Sequence, residues 1–238
     1  MKVTFNHDLP SRLRMTDFKN KLDQMRQVPK SSAPINALHA DVRRLLKKYK
    51  SEFELHQVRA QFMGAIASPI EHVNPMKELK RLWKGGELPP MKNMAAANEL
   101  IEVFAMGLWN KLTAYSDPEH TFPLTEFSGV TSDAEMRNFA QIKREEIESF
   151  VDGFFQGQET IKLPPEVGDS LDVLEDLVSL LAGFVSLPKK VSTPLEEITY
   201  QLEKLFKLRD IAQTEINTII VNSQNMRRQG DTPPPTLH

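Results

Sequence analysis

Residues Phe62–Gly86 read FMGAIASPIEHVNPMKELKRLWKGG, and the order of breakers in this stretch decides how the chain folds. Pro69 and Pro75 donate no backbone hydrogen bond, and each biases the residue before it away from helix. A helix arriving through Phe62–Ala67 therefore ends near Ser68-Pro69. Asn74 stands where an N-cap belongs, with Pro75 at the first helical position. Met76, Leu79, Leu82 and Trp83 then form one apolar stripe at helical spacing. Gly85-Gly86 stops the helix, because glycine enters the left-handed region without steric cost, and Gly86 is expected there.

Upstream, Leu38, Val42, Leu45 and Leu46 make one helical stripe, and Leu55, Val58, Phe62, Ala65 and Ile66 continue the pattern. A break falls near Tyr49–Ser51, with Ser51 the expected N-cap. Before Ile35, apolar residues are sparse and Pro10, Pro29 and Pro34 interrupt the pattern. One weak helix over Thr16–Val28 places Phe18, Leu22 and Met25 on one face.

Downstream, Asn93 caps a helix from Met94 to about Tyr115, where Ala97, Leu100, Ile101, Phe104, Leu108 and Leu112 recur at three- and four-residue steps. Ser132-Asp133-Ala134-Glu135 reads as a capping box, followed by Phe139, Ile142, Ile147, Phe150, Val151, Phe154 and Phe155. Gly153 and Gly157 sit within that helix or at its end. A helical glycine costs about 1 kcal/mol against alanine, so the pair points to a closely packed neighbouring backbone. Thr160–Gly168 reads as a loop, and Asp169 as the cap of a helix ended by Pro188. Thr193-Pro194-Leu195-Glu196 starts a last helix to about Val221, expected to pack on the Asp169–Leu187 helix.

No strand pattern with turn signals occurs, so the fold class is all-α: seven to nine helices in two packed subdomains. The expected division is a basic, weakly ordered segment over 1–36, helical subdomains over 37–130 and 131–221, and a polar, proline-rich, disordered tail over 222–238.

The chain holds no cysteine, which excludes a disulfide framework, a thiolate zinc site and a cysteine nucleophile. The first residues show no apolar signal region, and Asp172, Glu175 and Asp176 break the apolar run Leu171–Leu187, so a cytoplasmic protein is expected, with no membrane partner. The net charge of −2 hides an asymmetry. Residues 1–50 hold 12 Lys/Arg against 4 Asp/Glu, a net of +8, and residues 101–200 hold 7 against 18, a net of −11. Arg43, Arg44, Lys47, Lys48 and Lys50 are the candidate interaction cluster, since one helix can present most of them together. Two outcomes are open for it: weak, non-specific, salt-dependent nucleic-acid binding, or docking on the chain's own acidic half between Glu145 and Asp176.

Candidate chemistry is thin. His39, His56, His72 and His120 form no HxxxH or HxxE pair suited to zinc. Glu145, Glu146 and Glu148, and likewise Asp169, Asp172, Glu175 and Asp176, read as solvated faces, although facing carboxylates could bridge a divalent cation. No P-loop, nucleophile elbow or dinucleotide fingerprint occurs, so no catalytic, cofactor-binding or metal residue is assigned and no cofactor is expected. Trp83, Trp109, Phe150, Phe154 and Phe155 read as core rather than as a ligand platform.

Three pieces together resemble the YecA/YgfB family of bacterial proteins: the Phe62–Gly86 stretch, LWN at Leu108–Asn110, and FVDGFFQG at Phe150–Gly157. The elements that carry the resemblance are Ser68-Pro69, Pro75, Trp83 with Gly85-Gly86, Trp109-Asn110, and Gly153-Phe154 with Gly157, in that order over roughly residues 55–185. The resemblance implies a multihelical fold of two α subdomains and no recognised catalytic residues. Longer members end in a cysteine-rich zinc module, which a chain without cysteine does not carry. The expected function is a non-enzymatic helical interaction protein, an adaptor or regulator with an unidentified protein partner, monomeric rather than dimeric. The alternatives are a nucleic-acid-associated protein using the basic N-terminal region and, least favoured, a carboxylate-metal helical enzyme.

Overall fold

Every residue from Ala60 to Ser68 is apolar or small except Gln61, and a helix without a polar face must be covered on all sides. In the computed structural model, which describes residues 33–70, 73–126, 130, 132–186 and 195–230, all nine of these positions are buried. They belong to α2 (Leu55–Ala67), which follows α1 (Ala33–Lys48) and precedes α3 (Pro75–Arg81). A long rod comes next: α4 (Met94–Ile101), a π-helical stretch over Glu102–Trp109, one α turn over Asn110–Leu112 and a 3-10 turn over Thr113–Ser116. Three long helices complete the fold, α5 (Asp133–Phe155), α6 (Pro165–Val185) and α7 (Leu195–Gly230). The described residues form helices and no strand, the all-α class expected.

α2 touches α1, α3, the end of the rod, α5 and α7. Its tightest neighbour is α5, across the expected 130/131 division. A Cβ placed on Gly64 would lie 2.0 Å from Phe150 O, and one on Gly153 would lie 2.0 Å from Gln61 O. The two helices meet backbone to backbone because both positions lack a side chain. α5 continues the layering onto α6, and α7 covers α6, α5 and α2. One hydrophobic cluster runs through all of this, from Val42 to Ile220. Phe62 stands at its middle, edge-on to Trp109 at 5.3 Å and to Phe104 at 6.5 Å.

Several local expectations are met. Asn74 Oδ1 accepts from Met76 N at 2.8 Å, Asn93 Oδ1 from Ala96 N at 2.9 Å, and Ser132 Oγ from Glu135 N at 3.3 Å. Gly85 and Gly86 take φ of 84° and 69°. α7 packs on α6 as expected.

Others need correction. α2 is capped at Glu54, whose N–H donates to Gln57 Oε1; Ser51 instead donates to Leu82 O at 2.8 Å and accepts from Phe53 N. α6 starts at Pro165 rather than after Asp169, because a proline at the first position needs no donor there. Asp169 lies inside the helix on its exposed face. Of the two placements open to Gly157, within α5 or at its end, the structure has the second, at φ 78°. α7 runs past Val221 to Gly230, so the first part of the expected tail is helical. Ser223 is buried there, and Gln224 Nε2 donates to Ile66 O at 3.1 Å, so the extra turns are held by the end of α2. The π stretch has no sequence signal of its own. It sets Gly107 against α1, where a Cβ would lie 2.8 Å from Leu38 Cδ1. The Thr16–Val28 helix, His72, Pro188, the Thr193-Pro194 start and residues 231–238 lie outside the described residues.

Three glycines separate sterics from strain. Gly153→Ala drives a methyl into a backbone carbonyl that no rotamer change can move, and is expected to cost about 3 kcal/mol or more. Gly86→Val meets open space but a left-handed backbone, and is expected to cost about 1 kcal/mol or more. Gly183→Ala in α6 meets neither, and is expected to gain about 0.5–1 kcal/mol. Denaturant midpoints check all three, and an unchanged midpoint for Gly153→Ala would refute the backbone contact.

Candidate interaction surface

The five candidate cations do not form one free patch. Arg44 Nη2 lies 2.9 Å from Asp41 Oδ1 and 2.9 Å from Glu99 Oε1, and Lys48 Nζ lies 3.0 Å from Glu99 Oε2. Lys48 first and Arg44 second hold the Glu99 carboxyl below its usual range. The acid that answers α1 is thus on α4, not between Glu145 and Asp176. Arg43 and Lys47 stay exposed without an ion pair among the described residues. Lys50 is past the end of α1, in the left-handed region at φ 52°, and so points away from the helical row.

The residues that carry the family resemblance build the fold. Ser68 is buried and accepts from Ile70 N at 3.3 Å, just before Pro69 turns the chain. Pro75 opens α3. Trp83 is buried, edge-on to Phe104, and its Nε1 donates to Tyr49 O at 3.1 Å. Trp109 packs on Phe62, and Phe154 stacks on Phe150. Gly153 makes the α2 contact, and Gly85, Gly86 and Gly157 make turns. Asn110 is exposed, as are the three turn glycines Gly85, Gly86 and Gly157. Both tryptophans are core, as their spacing implies.

The Glu145–Glu148 group is not a single solvated face. Glu145 Oε2 is 2.8 Å from His56 Nε2, and Glu148 pairs with Arg144 at 3.1 Å. Glu146 is buried, and so is Lys143, whose Nζ donates to Glu146 Oε2 at 2.6 Å and also to Thr125 O. Burial lowers the Lys143 pKa, and the Glu146 charge opposes that shift. Glu146 Oε1 accepts from Thr125 N at 2.8 Å and from Thr125 Oγ1 at 2.6 Å. The same connection is held from α7 and α2. Asn217 takes both the N–H and the C=O of Phe122, Gln213 accepts from Leu124 N at 3.2 Å, and Arg59 donates to Pro123 O at 3.0 Å. Phe122 and Leu124 are buried, so an irregular stretch enters the core with its backbone groups matched by side chains. The signal for the pair was available. Lys143 is four residues from both Phe139 and Ile147 and seven from Phe150, on the apolar stripe of α5.

A second polar group lies beneath α3. Glu78 is buried, Arg81 Nη1 donates to its Oε2 at 2.9 Å, and its Oε1 has no hydrogen-bond partner among the described residues. The same holds for both amide atoms of buried Gln61, and the amide lies near Glu78 without reaching hydrogen-bond geometry. Burial raises the Glu78 pKa, against the opposing pull of Arg81.

A 640 Å³ groove lies between α5 and α6. Its floor includes Val151, Phe155, Ile161, Leu171 and Val178. Its edges carry five exposed carboxylates, Glu148, Asp152, Glu159, Asp172 and Glu175, and among the described residues no Lys or Arg lines it. Asp172 and Glu175, read from sequence as solvated, are therefore the rim of an apolar trough. Asp152 is reached by Arg81 at 2.7 Å. Among the described residues, no three His, Asp or Glu side chains converge where a metal ion could sit, and no helix is long and apolar enough to cross a membrane.

No protein-family model, curated protein or solved structure matches this chain.

Two measurements check the polar interior. Lys143→Met leaves a buried carboxylate short of its cation and is expected to cost about 3–5 kcal/mol. Adding Glu146→Gln, which keeps an acceptor for Thr125, is expected to recover most of that loss; additive losses would refute the coupling. For Glu78 the raised folded pKa fixes the sign. Its contribution is fully present below the unfolded value and is lost as pH rises through the folded value. Glu78→Gln is expected to be at least as stable as the parent at neutral pH, with its advantage shrinking on acidification. A stability difference independent of pH would refute this.

Proposed function

We propose that this chain is a non-enzymatic helical interaction protein, an adaptor or regulator of the YecA/YgfB type, and that it holds a partner segment in the α5–α6 groove. The observation that carries the reading is the pairing of floor and rim. Among the described residues, no element covers partly buried Val151, Phe155, Leu171 and Val178, in a trough of a size that takes side chains of a bound segment. Carboxylates on both edges select for cations at the margins of whatever lies there. An amphipathic helix laid into a groove uses this pattern: an apolar face inward, with charge at its borders.

Nucleic acid is the weaker proposal. Glu99 already engages Arg44 and Lys48, and the groove face would repel phosphate.

Capture from the native host with the parent chain and with Asp172→Lys plus Glu175→Lys tests the reading. Both substitutions are on exposed positions of α6, so the fold is expected to survive. A protein recovered with the parent and lost with the variant is the expected result. An identical set of proteins with both chains would move the interaction away from the groove.

A further inference from the structure

The α5–α6 groove shows five carboxylates and no cation along an apolar floor. The same chain carries the complement. In TDFKNKLDQMR, from Thr16 to Arg26, Phe18, Leu22 and Met25 recur at i, i+4 and i+7, one face of a helix. At about 100° per residue, Lys21 falls on one border of that face, and Lys19 and Arg26 fall on the other. Asp17 and Asp23 fall further round, which leaves the segment a net charge of +1 with its cations nearest the apolar face, so that face and its borders match floor and rim. We propose that Thr16–Arg26 of this chain's own N-terminal segment binds in the α5–α6 groove as an internal ligand, which an external partner must displace. This rests on the groove being a docking site, as proposed above.

The proposal requires the groove to lie within the reach of the link from Ala33, the first residue of α1. The link from Met25 to Ala33 spans up to about 28 Å when extended. The charges favour this occupant over one from the other end of the chain. Residues 1–32 hold seven Lys/Arg against three Asp/Glu. Of the rim acids, only Glu148 and Asp152 have ion-pair partners among the described residues, so Glu159, Asp172 and Glu175 are available to those cations.

An internal ligand has a functional consequence. The apparent affinity of an external basic helix falls by the fraction of time the groove is filled from within. Binding then responds to whatever weakens the internal contact, including salt, because the rim charges are exposed and screened.

The absence of cysteine makes the test direct, since introduced thiols are the only ones present. The full chain carrying Leu22→Cys with Val178→Cys is treated with a short bismaleimide. Leu22→Cys with Thr160→Cys serves as a second pair at an exposed groove position, and Leu22→Cys with Met106→Cys, on the exposed face of the π stretch, as the control. The expected result is an intramolecular cross-link in both groove pairs, at least about tenfold faster than in the control. Its rate is expected to fall severalfold between about 50 and 500 mM salt. Adding Asp172→Lys plus Glu175→Lys is expected to lower it likewise. Equal rates at groove and control positions, or no cross-link at either groove position, would overturn the proposal. So would a cross-link that joins two chains and grows with concentration, since the occupant would then be a second copy. The two proposals fail separately. A partner lost on groove charge reversal without any internal cross-link removes the internal ligand and keeps the docking groove. An internal cross-link with no partner dependent on the groove does the reverse.

Discussion

The close approach of α2 and α5, with Gly64 against the backbone of Phe150 and Gly153 against that of Gln61, is the constraint on which the rest of the structure depends. With a side chain at either position, α2 and α5 would separate by the width of a methyl group or more, and the layers on both sides would lose register. At the observed distance, Gln61 faces the α5 backbone and Asp152 comes within reach of Arg81. α3 is thereby tied to α5 as well as to α2. The contact also explains the composition of α2. Its small residues Ala60, Gly64, Ala65 and Ala67 are buried alongside large Phe62 and Met63, so close approach on one side is matched by bulk on others. Dispersion and apolar burial both gain from such proximity, at about 25 cal/mol for each Å² of apolar surface removed from water.

That tight interior nonetheless contains an ion pair. Burying Lys143 and Glu146 costs several kcal/mol per ion before their attraction is counted, and an apolar pair of similar volume would avoid the cost. The geometry indicates why charge is kept. The stretch Phe122–Thr125 enters the core without regular secondary structure, so its amides and carbonyls find no partners within a helix or sheet. Glu146, Lys143, Asn217, Gln213 and Arg59 supply those partners from three different helices. Replacing the pair by hydrocarbon would return the cost as unsatisfied backbone groups, at about 1–3 kcal/mol each. The polar cluster therefore fixes where the connection crosses the bundle, and with it the placement of α7.

What the sequence made legible follows from how local each signal is. Asn74-Pro75, Asn93 and Ser132 announced helix starts correctly because a cap is set by neighbours two or three residues away. Gly153 was readable as a close approach, since a glycine in a helix interior needs a reason. Its counterpart Gly64 carries no such signal, because it stands in an almost wholly apolar run with other small residues, Ala60, Ala65 and Ala67, close by. Ser51 and Asp169 misled for a related reason. Both are good capping residues, but Glu54 and Pro164-Pro165 had equally local claims, and packing decided between them. The extension of α7 to Gly230 could not be read from a polar stretch, because Ser223 and Gln224 are held by the end of α2 far away in sequence. The same holds for the candidate surface. Glu99 as the partner of Arg44 and Lys48, and the groove itself, exist only once separate helices are side by side.

The charge asymmetry of the chain takes on a different meaning in three dimensions. Read along the sequence, a basic first part and an acidic second part invite the conclusion that they neutralise each other. In the structure Glu99 satisfies part of the α1 cluster locally, while Glu148 and Asp152 of α5 and Asp172 and Glu175 of α6 stand on the edges of a trough that no cation lines among the described residues. Placing like charges around an apolar floor weakens the isolated fold slightly through repulsion. Its effect on recognition is larger, because an anionic segment would meet unfavourable contacts at every edge, at several kcal/mol for close like-charge pairs. The apolar floor supplies attraction to almost any hydrophobic face, and the rim then removes most of the candidates. For the proposed cationic amphipathic helix, selectivity would thus come mainly from what the groove rejects.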